Sequence, residues 1–180
     1  YKTDDVTAVV TWNPLVAESD ASEGANKVFD SSDIPGEIID LTVVNTETLK
    51  DNPAFGKALT GAWYETMAIM LSDTDEGKAA RAAMGAASGT DLAGYDAQLA
   101  STKMFGEASD AVAFGASKEL PTTMEHVRDF LFEHGLLGEG AASADVVGIE
   151  FPDGSVLGDK GNVKLRFDNS FMDMAAKGTL

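Results

Sequence analysis

From Thr46 to Gly135 the sequence reads as helix after helix with no strand signal between them, and this stretch constrains the fold most. Each helix there carries an apolar stripe that has to be buried against another element. Phe55, Leu59, Ala62, Trp63, Met67 and Met70 recur at helical spacing and predict a long amphipathic helix over 53–71, with Trp63 turned to the core beside Leu59 and Met67. Asp73–Asp75 begin an Ala-rich helix running to about Ala87, and Gly89-Thr90-Asp91 cap a third to about Leu99. A fourth is expected over 107–117 and a fifth over 121–134, stopped by Gly135. The helix-dense middle therefore packs on a sheet to which this chain adds few strands.

Strand-grade segments lie on either side. At the amino end, Thr7–Trp12 is β-branched and apolar and is ended by Asn13-Pro14. Lys27–Asp30 reads as a second short strand, Asp33–Glu37 as a turn punctuated by Pro35-Gly36, and Ile38–Val44 as a third strand, apolar on both faces. At the carboxyl end, 145–151 and 156–157 predict two strands around the turn Pro152-Asp153-Gly154-Ser155. A further strand at 163–167 and a short helix at 169–176 follow.

The chain has 180 residues, with 30 acids against 13 bases and a net charge of −17. Nucleic-acid binding wants clustered Lys and Arg, so this balance argues against it and against anionic membrane surfaces. With no Cys, disulfides, thiolate metal sites and thiol catalysis are excluded. No run of about 18 apolar residues occurs, so no membrane-spanning helix is expected. No nucleophile elbow, phosphate loop, dinucleotide fingerprint or zinc motif is present. His126 and His134 are out of helical register and lack a third ligand, so neither a metal nor a cofactor is expected.

Several motifs carry a family resemblance over nearly the whole chain. They are Ala8-Val9-Val10-Thr11-Trp12-Asn13-Pro14, Phe29-Asp30-Ser31-Ser32-Asp33-Ile34-Pro35-Gly36-Glu37-Ile38, Gly61-Ala62-Trp63-Tyr64-Glu65-Thr66-Met67, the stretch from Glu133 to Gly140, and Phe151-Pro152-Asp153-Gly154. Together they resemble the carboxy-terminal half of nitrate/taurine-type ABC importer binding proteins, nearest to the urea carboxylase-associated subgroup. The resemblance implies an α/β, type II periplasmic binding fold of two lobes, here partial and helix-rich. Residues 1–45 would supply interlobe crossover strands and a turn, and residues 46–180 a lobe portion with a terminal β-hairpin. It further implies an extracytoplasmic, periplasmic protein that captures a small nitrogenous solute such as urea, an amide or a guanidine and hands it to a membrane permease. Such a chain reads as a fragment of a larger protein, and exposed lobe surface and an unpaired sheet edge would favour self-association. The rival readings are an extracytoplasmic sensor domain and a thiamin-pyrimidine-synthase-like enzyme of the same fold; the latter depends on a Cys-rich motif that this sequence lacks.

The residues expected to touch a solute sit at strand ends, where open α/β folds place ligand clefts. Trp12 either stacks on a flat or cationic solute or is buried in crossover packing. Thr11 and Asn13 either hydrogen-bond the solute or form a turn. Glu37 follows a glycine that admits close approach; its two oxygens match the parallel N–H donors of a guanidinium or urea, or it faces water as a turn cap. Asp40, and Asp30 with Ser31 and Ser32, are further acceptors, each with capping as the plain alternative.

Overall fold

Three short polar side chains start three helices in the computed structural model, which describes residues 3 and 5–180. Asn45 accepts from the N–H groups of Glu47 and Thr48 and opens α2, Thr46–Asp51. Thr74 accepts from Gly77 N and opens α4, Asp75–Ala87; Asp91 accepts from Gly94 N and opens α5, Leu92–Ala100. Each satisfies a donor that the first turn of a helix leaves without a partner. The remaining helices are α1 at Leu15–Asp20, α3 at Pro53–Met70, α6 at Ala108–Gly115, α7 at Glu119–Glu133 and α8 at Ser170–Ala176. Gly135, at φ +70°, stops α7 as expected. The strands are β1 at Gly148–Glu150, β2 at Val156–Leu157 and β3 at Val163–Arg166. The fold is mixed α and β and rich in helix, with one small sheet.

The chain divides into two compact units. Tyr1–Asp30 and Glu65–Met104 form one; Ser31–Tyr64 and Phe105–Leu180 form the other.

In the first unit α4 packs on α5 through a face of small residues and one cation. Gly77, Arg81 and Gly85 recur every fourth residue and are all buried. A Cβ on Gly77 would run into the carbonyls of Ser72 and Ile69, and one on Gly85 into the carbonyl of Asp91. The glycines are therefore what lets these backbones approach. Met67 and Met70 from the end of α3 are buried, and the Tyr95 hydroxyl lies against the sulfurs of Met70 and Met84 at 3.6 and 3.4 Å.

In the second unit the strand order is β2-β1-β3, with β1 antiparallel to β2 and parallel to β3. The β1–β2 turn is closed by Gly154 at φ +82° and by Asp153, whose carboxylate accepts from Ser155 N at 2.9 Å. Leu120 and Met124 of α7 pack with Phe151 as the core, and Ile39, Phe114, Val127, Ile149, Leu157 and Phe167 close around it. The rings of Phe151 and Phe167 lie parallel, 5.7 Å apart. Asn169 pins the start of α8 to α6 by donating to the Val112 carbonyl at 3.0 Å.

Three expected strands do not form. Thr7–Trp12, Lys27–Asp30 and Ile38–Val44 are outside any ladder. The β-branched pattern is present in the first and third, but a strand exists only when a neighbour supplies the other half of its hydrogen bonds. Trp63 also departs from expectation, being half exposed. The buried face of α3 runs through Gly56, Met67 and Met70, rotated away from the Phe55–Trp63 line.

Candidate functional site

Thr11, Trp12 and Asn13 lie in the first unit on the extended segment that enters α1, followed by a cis Asn13–Pro14 bond. The Trp12 carbonyl accepts from Val16 N at 3.2 Å, so its backbone is tied to the helix start. Trp12 is 77% exposed, so it is not buried within this chain. Thr11 and Asn13 beside it are half-buried. Asp30, in the same unit, accepts a 2.7 Å ion-paired hydrogen bond from Lys27 Nζ.

Ser31, Glu37 and Asp40 belong to the second unit. Ser31 opens a 3-10 turn, Ser31–Asp33, and its carbonyl accepts from Ile34 N. The Ile34 carbonyl in turn accepts from Glu37 N at 3.2 Å. Gly36 has φ +87°, a conformation that strains any residue with a Cβ. This turn sets Glu37 at the surface; Asp40, three residues on, is exposed as well. Both carboxylates are therefore accessible acceptors. The expected strand-end setting is absent, since the segments before and after the turn form no ladder.

Two buried cations escaped the sequence reading. Arg81 donates from Nε to Asp96 Oδ1 at 2.7 Å and from Nη1 to the carbonyls of Met70 and Ser72. Arg128 donates from Nη1 to Asp145 Oδ1 at 2.6 Å, while its Nε has no hydrogen-bond partner among the described residues. The available signal was an Arg four residues from Gly77 and from Gly85 on an otherwise small-residue helix.

A shallow groove of about 240 Å³ opens in the second unit between Gly115–Ser117, Pro121 and Phe151–Asp153. At its rim the Ser155 hydroxyl and N–H both hydrogen-bond the Asp153 carboxyl and hold it below the usual carboxylate range. His134 caps α7 with its ring stacked on Phe130 at 4.1 Å. Among the described residues no group of three or more His, Cys, Asp or Glu stands together to hold a metal, and no helix is long and apolar enough to cross a membrane.

Comparison with known proteins identifies no relative: no family model, no curated protein and no solved structure matches this chain.

Proposed function

We propose that this chain is part of the solute-binding component of an ABC importer, of type II periplasmic binding fold, working outside the cytoplasm. It binds a small nitrogenous solute (urea, an amide or a guanidine) without transforming it and delivers it to a membrane permease. The observation that carries the reading is Trp12: a large aromatic face held open to solvent on a backbone anchored at a helix start, flanked by the hydrogen-bonding side chains of Thr11 and Asn13. Exposing an indole forgoes burial that ordinarily favours folding, and flat or cationic solutes are what an open indole face attracts. The mixed, helix-rich fold supports the same reading, and in the second unit Glu37 and Asp40 are accessible carboxylates.

The test is titration calorimetry on the full-length binding component with guanidinium, urea, short amides, taurine and nitrate, paired with Trp12→Ala. Binding of guanidinium or urea that the substitution weakens at least tenfold is expected. Binding of the anions alone would keep an importer and overturn the solute class. Absence of binding across the whole panel would overturn the reading.

A further inference from the structure

The segment Ile38–Val44 carries the β-branched composition of a central strand, yet among the described residues none of its backbone N–H or C=O groups is hydrogen-bonded. It is held in place all the same. Ile39 packs against the Leu120–Met124–Phe151 core, and just beyond the segment Asn45 caps α2. Ile38, Leu41 and Val43 are left exposed, Val43 at 75%. An anchored, apolar segment of strand composition with its backbone groups unbonded is a template for a further strand.

The sequence of the segment specifies which strand. Written antiparallel to itself about Leu41, Ile38 stands opposite Val44, Ile39 opposite Val43, Asp40 opposite Thr42, and Leu41 opposite its own copy. Glu37 then faces Asn45. Every apolar residue meets an apolar residue and no carboxylate meets another. Because the pairing keeps side-chain parity, Ile39, Leu41 and Val43 of both copies share one face. In-register parallel pairing would set Asp40 beside its own copy, and sliding the antiparallel register by one residue pair sets Asp40 directly opposite Asp40; like charges so placed are destabilising. Self-complementarity of this kind is the signature of a two-fold interface.

We propose that two copies of this chain associate through an antiparallel ladder of Ile38–Val44 centred on Leu41. The ribbon makes about six to eight backbone hydrogen bonds, the number depending on which opposed pairs exchange them. The net charge of −17 on each copy opposes the encounter. Association therefore strengthens as salt screens that repulsion.

Sedimentation equilibrium over a range of concentrations, at about 0.05 and 0.5 M salt, tests this. A monomer–dimer equilibrium is expected, about tenfold tighter at the higher salt; the N–H groups of Leu41 and Thr42 point to opposite edges of the strand, so one of Leu41→Pro and Thr42→Pro weakens it at least tenfold by blocking a ladder donor. Among the described residues neither N–H has a hydrogen-bond partner, so both variants keep the far-ultraviolet circular dichroism and the unfolding midpoint of the wild type when all are dilute. Hydrogen exchange of the unaltered protein is the second readout: amides within 38–44 gain protection as concentration rises. A monomer at about 0.2 mM in high salt overturns the proposal. So does a dimer that survives both Leu41→Pro and Thr42→Pro and is lost in Val10→Pro, which would move the interface to the unladdered segment Thr7–Trp12.

Discussion

The guanidinium of Arg81 reaches from α4 to Asp96 on α5, Nε to Oδ1 at 2.7 Å, while its Nη1 binds the carbonyls of Met70 and Ser72 at 2.8 and 2.9 Å. One side chain thus joins two helices and satisfies acceptors at the carboxyl end of a third, where backbone oxygens lack helical partners and a cation suits the dipole. Arg81→Ala leaves those oxygens unpaired inside the first unit, and a loss of about 3 kcal/mol is expected in urea unfolding. Asp96 is nearly half exposed, so Asp96→Asn is expected to cost about 1 kcal/mol or less. Equal losses from the two substitutions would mean that the ion pair, rather than the carbonyl contacts, carries the stabilisation.

Gly77 reverses the usual rule for helices. Ala in place of Gly ordinarily stabilises a helix interior by up to about 1 kcal/mol. At this position the new methyl meets the backbone oxygens of Ser72 and Ile69, which cannot swing aside as a flexible side chain would. Gly77→Ala is expected to lower stability by about 1–3 kcal/mol. A rise in the thermal midpoint would show that the α3–α4 connection yields easily.

The β1–β2 turn gives a pH signature. The Ser155 hydroxyl and then its N–H hold the Asp153 carboxyl below its unfolded value, so the charged form is favoured in the folded state. The resulting stabilisation is fully present above about pH 4, the ordinary carboxylate value, and is lost as pH falls through the lowered folded value. Ser155→Ala removes the first cause, and the Asp153 titration followed by NMR is expected to move upward toward the ordinary value. An unmoved titration would assign the shift to the backbone N–H alone.

Glu37 tests the proposed solute class. It stands exposed after Gly36, and charged hydrogen bonds contribute about 1.5–3 kcal/mol. Glu37→Gln is expected to weaken a guanidinium ligand more than tenfold in calorimetry and to change urea binding less. An unchanged guanidinium affinity would remove Glu37 from the site.

Helices and turns were legible in the sequence because their signals are local. Thr74, Asp91 and Gly135 announce helix ends through groups a few residues away, and Pro152–Ser155 announces a hairpin the same way. α2 was not foreseen, because the six residues before Asn52-Pro53 are too short a run to show a helical period. Thr7–Trp12 and Ile38–Val44 were misread for the opposite reason: their composition suits a strand, but a ladder depends on a partner that composition does not name. The burial of Arg81 was invisible because it depends on carbonyls on a different helix. Among candidate solute contacts the sequence singled out Trp12 and the Gly36–Glu37 turn; the exposure of Trp12 within this chain was not legible from spacing alone.

The position of β1 between β2 and β3 sets an order of assembly for the second unit. β1 and β2 are separated by a tight turn, so their pairing closes a short loop at low entropic cost; the parallel β1–β3 pairing closes a longer one, and docking on α7 spans more chain still. Phe151, at the end of β1, is thereby expected to stand on a formed hairpin before Leu120 and Met124 cover it. Substitutions in the Asp153–Gly154 turn should slow folding, while truncations of Leu120 should chiefly hasten unfolding.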